Sequence, residues 1–360
     1  MIKHFNKYVF LRLLSITLFV LLILIFIFIM IDFSENSDDF SDRGATMAEI
    51  WGDYYLNYIP EMIRLVIPVA VFSACLFLTG QLSERLEITA LKAAGVSLYK
   101  LTIPYFAFAI LSAGTISVLD AYVIPESNKK RIEFEDSFIK QKNERIDRND
   151  IFREISPNNI LQVNYFDKTQ ETAYRVRIFH FDSLSLKSST TATNMSWKED
   201  IQKWRMVSVR VFEYSDSGYT VTQFSGKDTS LSVTPKDLSR TTSDVYQLTY
   251  PEAQRYIESI QRSGAGGINI PKVHFYGRLA YPLSIIVVIL IGFSVASVRR
   301  KGGKGIYIAV GLTISFLYLA FMKIVEPFGS HGSMAPELAA ILPHIFFLIV
   351  GLFLLINAKK

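Results

Sequence analysis

Long apolar runs alternate with polar stretches along the chain, and their spacing predicts its organisation. The first run, Tyr8–Ile31, carries a single charge, at Arg12. It is longer than the core of a secretory signal peptide and exceeds the roughly 20 residues that a helix needs to cross a bilayer. Comparable runs lie at about 60–82, 101–124, 276–298, 306–325 and 338–356. We therefore predict six transmembrane helices, the first of them retained.

The stretch between the third and fourth runs has a different pattern. Hydrophobic and polar residues alternate there, although half of the residues in the chain as a whole are hydrophobic and most of these are collected in the long apolar runs. Alternation rich in Val, Ile, Phe and Tyr, with turn residues between the segments, is typical of half-buried antiparallel strands. We predict strands at 159–167, 174–182, 203–215, 218–226 and 229–233. So many strands in about a hundred residues indicate a small sandwich or jelly roll.

A short helix is expected after the strands, from Pro251 to the glycine cluster at 264–267. One face of this helix would carry Ala253, Tyr256, Ile257 and Ile260. The predicted layout is three membrane helices in 1–124, an inserted β domain with flanking helical linkers in 125–272, and three membrane helices in 273–360. The fold class is thus α-helical membrane protein with an inserted all-β domain.

Basic residues occur at alternate connections between the apolar runs. The opposite connections hold few of them, and the first, the loop at 32–42, is acidic. Positive charge collects on the cytoplasmic side of membrane proteins, so the pattern predicts cytoplasmic termini and an external β domain. It also explains the net charge of +5 without nucleic-acid binding. The basic residues are Lys3, Lys7, Arg12, Arg85, Lys92, Lys100, Arg299, Arg300, Lys301, Lys304, Lys359 and Lys360.

No catalytic constellation is present in the sequence. The five histidines lack metal-ligand spacing, and there is no GxSxG motif. The glycine cluster RRKGGKG at 299–305 lacks the spacing of a phosphate-binding loop and is interpreted as a tight turn between two membrane helices. Cys75 is the single cysteine and is expected to pack inside the second run. We expect neither a metal nor a cofactor on this chain, so any ATP it depends on must bind to another protein.

Ionisable residues near membrane depth are the first candidates for function, because burying a charge there is costly. Most lie close to the external ends of the apolar runs, where long side chains reach water. The alternative interpretation is a ring of charges around a cavity for an amphiphile with an anionic head. The candidates for that cavity are Glu61, Arg64, Arg278 and Lys323. Asp120 lies at a similar depth, and His344 lies deeper, in the sixth run.

The sequence LSERLEITALKAAGVS at 82–97 interrupts the apolar pattern between the second and third runs. Ser83 can cap a helix with Glu84 and Glu87 in its first turns, and Gly95 can end it. We predict a three-turn helix at about 83–95. Its small residues would permit close approach of a partner, although a surface-lying membrane anchor remains equally compatible with the pattern. Those small residues are Ala90, Ala93 and Ala94.

The motifs around this helix resemble the LptF/LptG family of lipopolysaccharide export permeases. SERLEITALKAAGVSLYKL (83–101) is similar to the family's signature between its second and third spans. Other similar motifs follow in the family's order over nearly the whole chain, and DIFREISPNNILQVNYFD and TPKDL lean slightly toward LptG. These other motifs are YIPEMIRLVIPVAVFSACLF (58–77), DAYVIPESNKKR (120–131), GRLAYPL (277–283), GIYIAVGLTISFLY (305–318) and MAPELAAILPHIFFLIVGLFLL (334–355).

The resemblance implies a non-catalytic subunit of an ATP-binding-cassette transporter in the bacterial inner membrane. Such a subunit pairs with a second LptF/LptG-like permease and with an LptB-like ATPase dimer, which binds the ATP and Mg. The complex extracts lipopolysaccharide and passes it through periplasmic jelly rolls to LptC and LptA-like proteins. The short helix would be the coupling helix, with Glu87 best matching the family's acidic coupling residue and Glu84 second. Its docking surface would also include Arg85, Ala90 and Gly95.

Two alternatives remain on the residues alone. One is a mechanotransmission subunit, which would move an external domain without passing lipid. The other is a receptor or structural membrane protein whose β domain binds a partner. The sequence also departs from familiar LptG chains, because Asp32 and Glu35 occupy the end of the first run where those chains carry lysines.

Overall fold

The structure is a computed structural model that forms two compact units. It describes residues 2–139, 146–147, 151–167, 170–182, 185–215, 218–239, 242–262, 268–298 and 304–358. The helical unit consists of Met1–Ile139, Tyr246–Tyr250 and Lys272–Lys360, and the sheet unit consists of Lys140–Val245 and Pro251–Pro271. Residues 299–303 of the predicted turn at 299–305 and the glycines at 264–267 lie outside the described residues, and α11 begins at Lys304.

Among the described residues, six α-helices precede the strands along the chain and six follow them. In chain order they are α1 Ile2–Asp42, α2 Met47–Glu49, α3 Leu56–Glu84, α4 Glu87–Ala93, α5 Leu98–Val118, α6 Ile124–Phe138, α7 Pro235–Ser239, α8 Tyr250–Arg262, α9 Asn269–Ala280, α10 Leu283–Ala296, α11 Lys304–Ser330 and α12 Pro336–Asn357. Two short π-helical segments, Ile50–Tyr55 and Leu119–Val123, join α2 to α3 and α5 to α6. A 3₁₀ turn covers Thr242–Gln247.

Four helical segments among the described residues are long and apolar enough to cross a membrane. They are Lys3–Asp42, Met47–Glu84, Leu98–Glu135 and Pro336–Asn357. The pair α9 and α10, bent by 50° at the break before Leu283, would make a fifth if it forms one span. Pro282 lies at this break, where its ring interrupts the helical hydrogen bonding. Helical membrane-spanning segments are therefore confirmed, and the count of six stays a prediction.

The first three of these segments are much longer than a membrane is thick. The 41 residues of α1 extend about 60 Å, against a hydrocarbon core of about 30 Å. The interpretation of 32–42 as a loop is wrong, because α1 continues through this acidic run to Asp42. Phe33 and Phe40 are seven residues apart, about two turns, so they share one face of α1. They pack into a cluster with Ile50, Tyr54, Tyr55 and Phe134.

The side chain of Asp32 fixes the start of this helical extension. Tyr54 donates a hydrogen bond to its Oδ1 at 3.2 Å, and Tyr55 donates one to its Oδ2 at 3.0 Å. Both tyrosines come from the first π-helical segment. The carboxylate is therefore satisfied by protein hydroxyls at the point where α1 becomes polar.

Helix α10 lies at the centre of the helical unit. Twelve of its fourteen residues are buried, as expected for a helix that is apolar on all sides. Its Gly292 comes so close to α3 that a Cβ there would lie 3.0 Å from the Phe72 ring and 3.2 Å from Cys75 Sγ. Cys75 is fully buried, as its interpretation as a packing residue requires.

The sheet unit contains one antiparallel sheet. Its strand order is β1-β3-β4-β5-β6-β7, and β2 also pairs with β3. From β3 onward, each strand pairs with the next along the chain, which is a meander. The strands are β1 Ile146–Asp147, β2 Ile151–Ser156, β3 Asn159–Asp167, β4 Thr172–Asp182, β5 Ser185–Lys198, β6 Lys203–Ser215 and β7 Gly218–Thr229. These strand pairings alone do not establish a jelly roll, which stays a prediction.

Four of the five predicted strands are confirmed, and the fifth is wrong. The segment at 230–233 is not a strand; Val233 instead accepts a hydrogen bond from the Trp204 indole at 2.7 Å through its carbonyl and packs in the sheet core. The prediction missed β1, β2 and β5, and in β5 the serines and threonines hide the alternation. The face predicted for the following helix is confirmed, since α8 buries Ala253, Tyr256, Ile257 and Ile260.

We expect Gly329→Ala to destabilise the helical unit. A Cβ at Gly329 would lie 2.6 Å from Ala339 Cβ and 2.7 Å from Val273 Cγ2, and overpacking of this kind costs about 1–3 kcal/mol. The matched control is Gly114→Ala in α5, where a Cβ would meet no atom within 4 Å. Thermal unfolding of the full chain in detergent should show a lower midpoint for Gly329→Ala alone, and equal midpoints would contradict this packing.

Candidate functional site

The short helix between α3 and α5 begins later than the sequence predicts. Ser83 is buried inside α3, so it does not cap the helix, and Glu84 is the last residue of α3. Leu86 then adopts a left-handed backbone with φ 62°, which turns the chain before α4 starts at Glu87. The predicted three-turn helix is therefore a seven-residue helix. The difference arises because Leu82 and Ser83 remain in the packed end of α3.

The end of α4 agrees with the prediction for Gly95. Its φ is +83°, a conformation that glycine adopts without steric cost. The Gly95 amide donates to the Lys92 carbonyl and the Val96 amide to the Leu91 carbonyl, each at 3.0 Å. This paired arrangement is a Schellman motif, which satisfies carbonyls that the end of a helix leaves unbonded.

One face of α4 packs on the helical unit, and the other is exposed. Ile88 is buried in the main helical core, and Leu91 packs against the same core. These two residues lie three apart and so share a face. The predicted docking residues Glu87 and Ala90 on α4 are exposed, as are Arg85 before it and Gly95 after it, whereas Glu84 is half-buried. The structure thus leaves a charged and alanine-rich surface uncovered in this chain.

A cluster of ionisable residues occupies the other end of α3. Arg64 from α3 places its Nε 3.0 Å from Oδ1 of Asp120, which lies in the second π-helical segment. Arg278 of α9 places its Nε 4.0 Å from the same carboxylate oxygen. Asp120 and Arg278 have no side-chain exposure, and Arg64 retains 14%. The structure therefore brings two of the predicted cavity residues together around a buried carboxylate.

The Arg278 guanidinium also contacts the backbone. One terminal nitrogen donates to the Leu248 carbonyl at 2.8 Å, and the other donates to the Asp120 carbonyl at 2.6 Å. Its central carbon lies 4.7 Å from the centre of the Tyr250 ring, within the range of a cation–π contact. Arg278 is therefore enclosed by protein groups from three segments of the helical unit.

Tyr246 lies between Arg64 of this cluster and His274 of α9. Its ring centre lies 5.3 Å from the Arg64 guanidinium carbon, and its hydroxyl lies 3.0 Å from His274 Nδ1. Burial raises the pKa of the Tyr246 hydroxyl, while the Arg64 charge acts in the opposite direction. The hydroxyl consequently stays protonated and available for the hydrogen bond to His274.

The other two predicted cavity residues lie in separate ion pairs. Glu61 Oε2 lies 3.2 Å from Arg131 of α6, whose guanidinium covers the Tyr58 ring at 4.5 Å. Lys323 pairs with Glu326 of its own helix at 2.8 Å and keeps 81% of its side chain exposed. The cavity assignment of Glu61, Arg64, Arg278 and Lys323 stays a prediction.

Sequence reasoning placed Asp120 at membrane depth without identifying it as the partner of both arginines. Its signal was a lone carboxylate near the end of an apolar run. Arg131 and Tyr246 gave no such signal, because each lies in a polar stretch of ordinary composition. His344 also has a partner, since its Nδ1 forms a hydrogen bond with the Tyr318 hydroxyl. Among the described residues, no group of three or more His, Cys, Asp and Glu side chains is arranged to hold a metal ion.

A comparison of the whole chain with protein families identifies its relatives. The family model for the lipopolysaccharide export system permease LptF/LptG matches residues 7–357. The chain belongs to the LptF/LptG family. The matched residues include α4 and the cluster around Asp120.

Individual relatives support membership of the LptF/LptG family over the full length. The lipopolysaccharide export system permease protein LptG of Escherichia coli strain K12 is 20% identical over 362 residues, covering 99% of this chain and 97% of its own. LptG of Haemophilus influenzae is 20% identical over 364 residues, covering all of both chains. These relatives carry the LptG name, toward which the sequence motifs also lean.

We expect Gly95→Ala to loosen the end of α4. Alanine in the left-handed conformation costs about 1–2 kcal/mol, which weakens the two hydrogen bonds of the Schellman motif. Hydrogen exchange of a peptide covering 91–98 should become roughly fivefold faster. Ala93→Gln, an exposed change within α4, is the control and should leave the exchange unchanged; identical exchange in both variants would contradict the expected role of Gly95.

Proposed function

We propose that this chain is a non-catalytic permease subunit of an ATP-binding-cassette transporter that extracts lipopolysaccharide from the inner membrane. Membership of the LptF/LptG family supports the substrate and the permease role. A separate LptB-like ATPase dimer supplies ATP hydrolysis, and a second LptF/LptG-like permease completes the membrane part. The sheet unit passes the lipid to a periplasmic bridge of LptC and LptA-like proteins.

The exposed face of α4 carries the proposal. A connector that only anchored two membrane helices would need its apolar side, and Ile88 and Leu91 already provide that side by packing on the core. The remaining surface of Glu87, Ala90 and Gly95 is open, small and charged. Such a surface suits a protein partner that approaches the backbone closely, and we assign it to the ATPase.

The orientation in the membrane rests on charge. The connection between α3 and α5, which contains α4, carries Arg85, Lys92 and Lys100. The C-terminal end of α1, in contrast, carries the acidic run 32–42. From this excess of basic residues we infer that α4 and both termini lie in the cytoplasm. The chain between α6 and α9, which contains the sheet unit, then lies in the periplasm.

The substrate contact is best matched by an exposed cation at the periplasmic end. Lys323 exposes 81% of its side chain, Arg64 exposes 14% and Arg278 none. An anionic head group can replace Glu326 as the partner of Lys323 without burying a new charge. Arg64 offers its remaining surface as a second contact, and Glu61 lies near it on α3, where it pairs with Arg131 of α6.

We expect Glu87→Lys to weaken the association with the ATPase. The change reverses the charge at the start of α4, where a carboxylate also interacts favourably with the helix dipole. Co-purification of the ATPase with the tagged permease complex should fall at least tenfold, while membrane insertion stays normal. The control is Glu133→Lys, a charge reversal at an exposed position of α6. Undiminished ATPase recovery with Glu87→Lys would refute the assignment of α4.

We expect a photo-crosslinking amino acid at position 323 to capture lipopolysaccharide in the active complex. The same amino acid at Phe316, an exposed α11 residue about two turns away, serves as a control for nonspecific contact with membrane lipid. Capture at 323 should exceed capture at 316 and depend on ATP. Equal capture at both positions, with or without ATP, would show that Lys323 does not contact the substrate.

A further inference from the structure

Five residues that interrupt the sheet unit belong to the helical unit. These residues, Tyr246–Tyr250, are called the return segment below. The residues on both sides, Val245 and Pro251, are assigned to the sheet unit. The return segment includes the end of the 3₁₀ turn and the first residue of α8. Its place in the helical unit therefore has to be stabilised largely by contacts from neighbouring helices.

Those contacts come from side chains of the helical unit. Arg278 donates to the Leu248 carbonyl at 2.8 Å, and Asn128 donates to the Tyr246 carbonyl at 3.4 Å. The Leu248 side chain is buried, with 3% exposure. Buried backbone carbonyls need a hydrogen-bond partner, and here the strongest is a charged guanidinium.

The other terminal nitrogen of Arg278 binds the second π-helical segment. In that segment the Ile124 amide bonds to the Leu119 carbonyl, five residues earlier. The wider turn shifts the helical hydrogen-bond register, and π-helical segments are frequent at functional positions. The Asp120 carbonyl within it accepts a 2.6 Å hydrogen bond from Arg278. A single guanidinium thus joins this segment to the return segment.

The bridge requires an arginine for geometric reasons. A guanidinium holds its donors in a rigid plane and can contact two carbonyls on different segments at once. A lysine ammonium would keep the charge next to Asp120 but offers one compact group in place of a fork. Charge and geometry can therefore be separated by a substitution at this position.

We propose that Arg278 is a positioning residue that fastens the return segment to the π-helical segment between α5 and α6, and that lipid delivery depends on this fastening. The second part rests on the proposed export function, whereas the first part concerns this chain alone. The buried charge of Arg278 is compensated only in part by the Asp120 carboxylate, because Arg64 pairs with the same carboxylate. The guanidinium itself makes the bridge.

The first experiment measures the fastening directly. Leu248→Cys introduces a buried thiol into the return segment of the full chain, and the native Cys75 reports on the integrity of the helical core. Maleimide labelling of the two cysteines is followed separately by mass spectrometry. Adding Arg278→Lys should accelerate labelling at 248 about tenfold while Cys75 stays protected. Arg205→Lys, at an exposed ion pair with Asp228 in the sheet unit, is the matched control.

Arg278→Gln provides a second test in case the lysine variant does not fold, which labelling of Cys75 would reveal. Glutamine removes the buried charge and leaves Arg64 and Asp120 as a balanced pair. It should also expose position 248, because it cannot reach both carbonyls. Protection of position 248 in whichever of these variants keeps Cys75 protected would overturn the fastening.

The second experiment tests delivery in the complex of this chain with its co-purifying permease and ATPase. With Arg278→Lys, transfer of lipopolysaccharide to an acceptor should fall about tenfold while ATP hydrolysis stays within about twofold. Equal loss of both would mean a merely structural role and would overturn the dependence of delivery on Arg278. If the unmodified complex delivers no lipopolysaccharide, the proposed function fails, and thiol labelling still decides the fastening.

Discussion

Every backbone polar group in an apolar helix bundle must find a partner within the protein, and this constraint shapes the helical unit. Regular helices meet it internally. Where the helices depart from regularity around Asp120 and before α10, side chains also donate to backbone carbonyls. Arg278 binds the carbonyls of Leu248 and Asp120, and Tyr281 donates to the Leu65 carbonyl at 3.2 Å. The bend before α10 and the second π-helical segment are thus accompanied by side chains that can bond to the backbone.

The same constraint explains why charged residues gather at one place. A guanidinium that binds buried carbonyls needs a counter-charge nearby, because an isolated charge in an apolar site is costly. Asp120 provides it, and Arg64 shares the carboxylate while remaining partly exposed. Tyrosine rings from three further positions then cover the guanidinium groups. The cluster therefore has a structural role. Of its three charged residues, Arg64 is the one with exposed surface that can also contact a ligand.

Much of the fold could be predicted from the sequence, because hydrophobic periodicity reports which faces are buried. The apolar runs, most strands and the buried face of α8 were predictable for this reason. The acidic run at 32–42 was not, since its helical state depends on Phe33, Phe40 and Asp32 meeting the tyrosines of a π-helical segment. Strand β5 was missed because its pairing with β4 and β6 overrides a serine- and threonine-rich composition.

In the candidate sites, too, features with a local sequence signal were predictable and features set by tertiary packing were not. Gly95 was predictable because a left-handed helix end has a local sequence signal. The start of α4 was not predictable. Serine is a good helix cap by its local sequence, but Ser83 is buried within α3 and does not cap α4. The partnership of Arg64 and Arg278 joins residues 214 positions apart, and only tertiary packing around Asp120 reveals it.

Helix α3 gives the two candidate regions a physical connection. Arg64 and Glu84 lie on this one helix, separated by about 30 Å at 1.5 Å per residue. Along that length Thr79 donates to the Tyr105 hydroxyl at 2.9 Å, and Gly292 permits the close approach of α10. Because cores this tightly packed do not deform continuously, a displacement applied at α4 has to move α3 together with α5 and α10. Asp120 lies in the π-helical segment that directly continues α5, and its partners are Arg64 of α3 and Arg278 of α9. The site proposed for the ATPase and the cluster at the other end therefore belong to one packed body.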